Sequence, residues 1–173
     1  NDIRKQVYFT EDSVVCNSTK VGGIYLLNKY PGNPELKTST YQYYQMPKIF
    51  RAAESYLIAA EAAYNEGNTS EALGYVNSLR SARQASTLNV NGEAVLKAIK
   101  DEWIREFIGE GHRLNDLKRW HDGFSRHDTQ TPSIIMSGAN YNEKTVSADD
   151  QRFVWEIPAN DLKANSNLVP NWK

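Results

Sequence analysis

Acidic and basic side chains are concentrated between residues 102 and 120, where they could take part in acid–base chemistry. Glu102, Glu106 and Glu110 recur every four residues, so they share one face of a helix. Paired carboxylates carry out glycoside hydrolysis when one of them keeps its proton. The arginines of this segment are expected to hold the carboxyl pKa values low, which is wrong for a general acid. A hydrolase would also place its carboxylates on opposite sides of a cleft.

A metal site is the second chemistry that this segment could support. His112 and Asp116 stand four residues apart, which is the spacing of two ligands on one helix face. Three basic side chains lie alongside and would repel a cation, namely Arg113, Lys118 and Arg119. We therefore expect neither a metal nor a cofactor.

The remaining interpretation of the segment is an ion-pair lattice that locks two helices across a glycine bend. Gly109 and Gly111 interrupt the helical pattern. The structural residues of this predicted brace are Glu106, Glu110, Arg113, Asp116, Arg119 and Trp120. Such a brace would be a scaffold without a bond-breaking role.

Composition narrows the class of protein. The chain has 173 residues, of which 40% are hydrophobic and 24% charged, as in folded domains with a core. Its formal net charge of -1 leaves no basic excess to neutralise phosphates, so nucleic acid is not an expected partner. No apolar run is long enough to span a bilayer. Cys16 is the single cysteine and is expected to be a half-buried thiol in a strand.

The elements that would position the charged groups begin with a helical hairpin. A helical period starts at residue 52, and six alanines between residues 52 and 63 allow a second helix to approach closely. Gly67 is expected to end the first helix, and residues 68–71 to start the next with a capping box. The inner face of this second helix carries Leu73, Val76, Leu79 and Arg83. The size and the small-residue pattern are those of a tetratricopeptide-like unit.

Two further helices and several short strands complete the prediction. The buried stripe of a third helix, starting at residue 91 or 92, consists of Val95, Ile99, Trp103 and Phe107. A short fourth helix follows Gly111. Strands are expected over residues 6–10, 23–27 and 153–157. Residues 122–150 are expected to form a loop, and the tail from Ala159 no more than one helical turn.

Aromatic side chains are the remaining functional clue, because flat rings stack on sugar rings while their polar tips hydrogen-bond. Tyr56, Trp103 and Trp120 lie on helix stripes and are expected in the core. Four tyrosines lie in predicted loops and are the candidate ligand-binding residues, namely Tyr41, Tyr43, Tyr44 and Tyr141. Ordinary half-buried tyrosines are the alternative at these positions.

Four ordered segments carry a family resemblance, namely residues 49–62, 72–83, 102–120 and 155–171. The third reads EWIREFIGEGHRLNDLKRW and contains all the residues of the predicted brace. With weaker similarity at residues 2–4 and 28–31, the chain resembles the C-terminal part of the SusD/RagB family of nutrient-binding outer-membrane lipoproteins. Departures at Trp103, Glu156 and Ser166 affect local packing.

The resemblance implies a mainly α fold with tetratricopeptide-like helix pairs, irregular loops and a few short strands. It implies a surface-exposed lipoprotein of the outer membrane of Bacteroidetes that binds oligosaccharides, or peptides in some relatives, without catalysis. It implies a TonB-dependent, SusC-like transporter as the partner. The expected organisation is one domain, with an irregular strand and loop segment over residues 1–47 and a helical region over residues 48–173. The upstream half, with the lipid anchor, is expected to lie outside this chain.

Two other functions stay open at this point. A tetratricopeptide adaptor would bind a peptide in a concave groove, and it predicts further repeats. A glycoside hydrolase is the less favoured alternative, because it predicts two opposed carboxylates.

Overall fold

The computed structural model of the chain describes residues 1–16, 18–41, 44–46, 48–128, 130–131 and 144–171. These residues form two compact units, Asn1–Glu110 and Gly111–Lys173. Most regular structure is helical, as predicted for a mainly α fold. The organisation as a single domain stays a prediction. Within the described ranges, no helix combines the length and the apolar character needed to cross a bilayer.

The first unit is built around the predicted helical hairpin. Helices α2 (Ala52–Asn65) and α3 (Thr69–Ala82) pack against each other. Their buried faces consist mainly of small residues and leucines, namely Ala53, Leu57, Ala60, Ala63, Ala72, Val76 and Leu79. Because alanine adds little bulk, the two backbones come close, which is the packing expected of a tetratricopeptide-like pair.

In the turn between α2 and α3, the prediction that Gly67 ends the first helix is confirmed, whereas the predicted capping box at residues 68–71 is wrong. Gly67 has φ of 85° and ends α2, with the amide of Asn68 bonded to the carbonyl of Ala63 at 2.8 Å. This bond fixes Asn68 at ψ of 61°, outside the extended conformation of an N-cap. The side chain of Asn68 therefore makes no capping hydrogen bond to α3.

Helix α4 (Glu93–Glu106) packs against both helices of the hairpin. It begins one residue after the predicted start at residue 91 or 92, with Gly92 as its N-cap. The predicted stripe is buried, and the rings of Trp103 and Phe107 lie 5.0 Å apart. The helix ends before Gly109, which has φ of 77°. A side chain at this position would also meet Leu27, whose Cδ2 lies 3.0 Å from the place of a Cβ.

The N-terminal segment differs in part from the prediction. Residues 6–8, expected in a strand, belong to helix α1 (Arg4–Tyr8), and strand β1 (Phe9–Cys16) follows. The helical turn places Arg4 and Tyr8, four residues apart, on one buried face. The ion pairs that Arg4 forms there outweigh the β propensity of residues 6–8. Strand β2 (Thr19–Leu27) pairs antiparallel with β1 and contains the predicted residues 23–27.

The remainder of the first unit runs from β2 to α2 and includes one 3-10 turn, Pro34–Leu36. Cys16, the last residue of β1, is half-buried as predicted.

The second unit contains helix α5 (His112–Trp120), the predicted fourth helix, and helix α6 (Ala159–Ala164), longer than the single turn expected. Strands β3 (Phe124–Ser125) and β4 (Thr145–Val146) form a short antiparallel ribbon within the predicted loop. The strand predicted over residues 153–157 is wrong. Gln151–Phe153 form a 3-10 turn, started when the Asp150 side chain accepts the amide of Arg152 at 2.9 Å.

Candidate functional site

Three carboxylates lie at the centre of a charged cluster in the first unit. Glu102 and Glu106 are 0% exposed, and the side chain of Glu110 is 7% exposed. A buried carboxylate costs several kcal/mol unless partners of opposite charge surround it, so the basic neighbours decide what this cluster can do.

Glu106 is held by three guanidinium groups. Its Oε1 lies 2.6 Å from Arg51 Nη1 and 2.8 Å from Arg83 Nη2, and its Oε2 lies 3.2 Å from Arg4 Nη1. The Arg51 guanidinium also lies 4.4 Å from the centre of the Phe107 ring. Burial alone would raise the pKa of Glu106, but hydrogen bonds from Arg83 and Arg51 outweigh it and hold the pKa below its usual value.

Glu102 lies one helical turn earlier and shares Arg4 with Glu106, while Arg80 and, at 3.5 Å, Arg105 complete its arginine partners. Its Oε1 is 2.6 Å from Arg4 Nη1, and its Oε2 is 2.9 Å from Arg80 Nη1. Arg4 is oriented in turn by Asp2, whose Oδ2 accepts its Nη2 at 2.6 Å. Arg80 donates from Nε to the carbonyl of Ser86 at 2.8 Å. The pair of arginines therefore ties the N-terminal segment and the end of α3 to the same side chain of α4.

Glu110 follows the end of α4 and binds two cations from different segments. Arg51 donates to it from Nε at 2.9 Å and from Nη2 at 2.8 Å. Lys29 forms an ion pair with Glu110 and donates to the carbonyl of Glu106 at 2.6 Å. The carbonyls at the end of a helix have no partner within it, so this ammonium caps α4. Burial lowers the pKa of Lys29, although its hydrogen bond to Glu110 works in the opposite direction.

These contacts define what the carboxylates can do. A general acid needs a raised pKa and access to a substrate, whereas Glu106 has a lowered pKa and no exposed surface. Glu102 and Glu110 are likewise held by basic side chains. We call these three carboxylates and the five bases that bind them from other segments, Arg4, Lys29, Arg51, Arg80 and Arg83, the ion-pair cluster. Its geometry suits holding segments together.

The other residues of the predicted brace lie on α5, in the second unit. Asp116 is buried, and its Oδ1 accepts Arg119 Nη2 at 3.1 Å. The Arg119 guanidinium lies 4.4 Å from the centre of the Trp120 ring. Arg113 is exposed on the same helix. His112 and Asp116 do not belong to a metal-binding group, because no three His, Cys, Asp or Glu side chains cluster suitably within the described ranges.

Two of the four candidate tyrosines lie together on the surface of the first unit. Tyr41 is 60% exposed and Tyr44 is 49% exposed, and their ring centres are 5.6 Å apart at an angle of 48°. Tyr43 and Tyr141 lie outside the described residues. Exposed, paired rings of this kind can receive the apolar face of a sugar.

The three aromatic residues that were predicted to lie in the core differ in how deeply they are buried. Trp103 is buried as predicted, and Trp120 is half-buried. The core position predicted for Tyr56 is wrong, because this side chain is 44% exposed. Its ring meets Tyr75 edge-on at 6.3 Å on the outer side of the hairpin.

Comparison with known proteins places this geometry in a family. The model of the SusD family matches residues 8–172, nearly the whole chain. The chain belongs to the SusD family. The predicted resemblance is thereby confirmed.

Individual relatives agree with the SusD assignment. The starch-binding protein SusD of Bacteroides thetaiotaomicron is 32% identical over 123 residues, which are 71% of this chain and 20% of that protein. A SusD superfamily protein from the same species has a crystal structure that matches 99% of this chain and 37% of its own, with a TM-score of 0.73 and 29% identity. A Bacteroides vulgatus relative gives a TM-score of 0.71 at 26% identity, covering 99% of this chain and 35% of its own. The chain thus spans between a fifth and two fifths of the length of these relatives.

The basic members of the ion-pair cluster were not predicted as partners of the carboxylates. The spacing rules used for the acids act within one helix, whereas Arg4 and Glu106 are 102 residues apart. A signal was nevertheless present in the sequence. Arg51, Arg80 and Arg83 fall inside the segments that resemble the SusD family, and Arg4 and Lys29 fall inside the two weaker ones.

The lowered pKa of Glu106 predicts an acid-sensitive fold for this SusD-family chain. Its stabilising contribution is fully present above the unfolded value of about 4.5 and is lost as the pH falls through the lower folded-state value. We expect the urea unfolding midpoint to be nearly constant from about pH 8 to pH 5 and to fall below about pH 4.5. Glu106→Gln should flatten this acid limb, which unfolding at a series of pH values would measure. If the stability of both proteins fell equally steeply at acid pH, Glu106 would not be the source of the acid sensitivity.

Proposed function

We propose that this chain is part of a non-catalytic glycan-capture protein on the surface of the bacterial outer membrane. The observation that carries the proposal is the match of residues 8–172 to the SusD family. The curated relative that is 32% identical is a starch-binding protein. The protein would bind oligosaccharides and pass them to a TonB-dependent, SusC-like transporter, with a lipid anchor located outside this chain.

The geometry of the first unit supports capture and gives no support to hydrolysis. The carboxylates that could have been catalytic are buried among arginines and a lysine, so they act as fixed structural charges. The exposed rings of Tyr41 and Tyr44 offer a surface for stacking. Tyr43 and Tyr141 remain proposed ligand contacts by sequence alone. A few stacked rings with hydrogen bonds around them give modest affinity, on the order of micromolar to millimolar dissociation constants.

Binding and turnover measurements test this function on the complete gene product. Isothermal titration with a panel of neutral and acidic oligosaccharides should give saturable binding, and labelled oligosaccharides should remain intact during long incubation. Affinity capture from detergent-solubilised outer membranes should retain a large TonB-dependent transporter. A panel of peptides, the alternative ligands, serves as the comparison. Hydrolysis of the sugars, or binding to peptides alone, would contradict the proposal.

A further inference from the structure

A cleft of about 340 Å³ lies in the segment that joins β2 to α2. One wall is formed by Lys29, Tyr30 and the turn that leads to Asn33, and the other by Gln45, Met46 and Lys48. Its volume is at the lower end of the range for small-molecule sites, which suits a short stretch of a chain molecule.

Internal hydrogen bonds close this segment into a compact loop. The amide of Asn33 donates to the carbonyl of Tyr44 at 2.5 Å and so joins the two walls. Within the loop, Thr38 and Tyr41 bond twice, from the Thr38 amide to the Tyr41 carbonyl at 2.9 Å and from the Tyr41 amide to Thr38 Oγ1 at 3.0 Å. These bonds hold Asn33, Thr38, Tyr41 and Tyr44 in fixed relation to one another, as in compact surface loops.

Both ends of the loop are fixed by one carboxylate of the ion-pair cluster. Lys29, at the start, and Arg51, at the end, bind the same Glu110 side chain. Lys29 also caps α4 through the carbonyl of Glu106, and its ammonium lies 4.2 Å from the centre of the Tyr8 ring. A binding loop anchored at both ends is ordered before the ligand arrives, so binding loses less conformational entropy.

The cleft combines apolar walls at Pro31, Leu36 and Met46 with a few polar side chains, which suits an uncharged ligand that has both apolar faces and hydroxyl groups. The side-chain amide of Gln45 can donate and accept, as sugar hydroxyls require. Asn33 offers mainly its NH2 group as a donor, because its Oδ1 already accepts the amide of Glu35 at 3.0 Å. Of the two lysines in the lining, Lys29 is held by Glu110, which leaves Lys48 to meet a ligand. A single ammonium is a weak attraction for a polyanion in water.

The exposed aromatic pair lies next to this cleft. Tyr44 is bonded through its backbone to Asn33 and precedes Gln45, and both of these residues line the cleft. The centre of its ring lies 5.6 Å from that of Tyr41 with the two planes tilted by 48°, so two exposed rings are grouped beside the polar side chains.

We propose that this cleft and the adjoining Tyr41–Tyr44 pair are a binding subsite for a neutral oligosaccharide. A sugar ring stacks on the tyrosine pair, and its hydroxyl groups bond to Asn33 and Gln45. The inference rests on the proposed capture function and adds to it the place and the charge class of the ligand. Glu110 acts as a positioning residue, because it holds the loop ends without reaching the sugar.

Titration of site variants tests the subsite on the complete gene product. The probes are maltoheptaose, cellohexaose and xylohexaose, with an oligogalacturonide as the acidic comparison. Tyr44→Ala and Gln45→Ala should each weaken binding of the neutral ligand about tenfold, equivalent to about 1.4 kcal/mol. Tyr56→Ala is the matched control. Tyr56 lies on α2, is about as exposed as Tyr44 and also pairs with a second tyrosine ring, so its removal should leave the affinity unchanged.

A second measurement does not depend on variants. Nitration of Tyr41 and Tyr44 by tetranitromethane, read by mass spectrometry, should slow when the neutral sugar is bound, whereas nitration of Tyr56 should not. If the wild type binds a sugar but the variants and the nitration pattern are unchanged, the subsite is overturned and the capture function stands. If only the oligogalacturonide binds, the neutral ligand class is overturned. If none of the sugars binds, the capture function itself fails and the subsite with it.

Discussion

Replacing Glu106 by glutamine is expected to lower the free energy of unfolding by about 3–5 kcal/mol, the range for breaking a buried ion pair from one side. The carboxylate is 0% exposed and forms ion pairs with the guanidinium groups of Arg4, Arg51 and Arg83. Glutamine keeps the size and one oxygen acceptor but removes the charge. The guanidinium of Arg4, whose side chain is 5% exposed, would then have lost one of its anionic partners without gaining water.

Equilibrium unfolding in urea, followed by circular dichroism, measures this change against a matched surface pair. Asp101→Asn removes a carboxylate from the same helix, where Asp101 meets Lys97 at 2.8 Å with both side chains in contact with water. That control should change the free energy of unfolding by less than about 1 kcal/mol. A Glu106→Gln protein as stable as the Asp101→Asn protein would show that the buried charges do not depend on one another.

The ion-pair cluster has a cost as well as a benefit, and this suggests why the chain contains it. Apolar residues of the same size would often stabilise a core as well as buried charges do. A buried charge, however, needs a partner of opposite charge, and here the ion pairs join segments that are far apart in sequence. Glu110 fixes both ends of the loop that carries Tyr41 and Tyr44. The proposed capture function, which needs a fixed binding surface, would gain from this specificity.

Helices of this chain could be predicted from the sequence because their signals are local. Apolar periodicity located α2, α3 and α4, and Gly67 and Gly109 marked the places where two of them end. The strands over residues 6–8 and 153–157 were predicted wrongly for the opposite reason. Residues 6–8 are helical because the helical turn buries Arg4. Residues 154–157 do not form a strand because no strand pairs with them among the described residues.

The candidate site was predictable only in its residue types. The sequence predicted that Glu102, Glu106 and Glu110 would be held by arginines of their own segment. Arg105 does lie 3.5 Å from Glu102, but the shorter ion pairs come from residues 4, 29, 51, 80 and 83. Loop composition indicated exposed tyrosines, and Tyr41 and Tyr44 are exposed. The cleft beside them depends on a hydrogen bond between Asn33 and Tyr44, for which the sequence carries no pattern.

Ala60→Leu is expected to destabilise the first unit by about 3 kcal/mol, at the upper end of the usual range for overpacking. Ala60 is 0% exposed on the face of α2 that packs against α3 and α4. The hairpin depends on small residues there, with Ala63 6% exposed and Ala72 0% exposed nearby on the inner faces. Three additional carbon atoms would force α3 away from α2, because a core at native density has no space to receive them.

A leucine substitution on the outer face of the same helix serves as the control that separates overpacking from a change in helix propensity. Ala62 is exposed two residues later, so Ala62→Leu makes the same chemical change without filling the interface. Alanine and leucine differ little in helix propensity, and the control should stay within about 0.5 kcal/mol of the wild type in urea unfolding. If Ala60→Leu proved equally mild, the interface would hold space for a larger side chain. Close contact of small residues would then not be what joins α2 to its neighbours, and the tetratricopeptide-like packing would need another explanation.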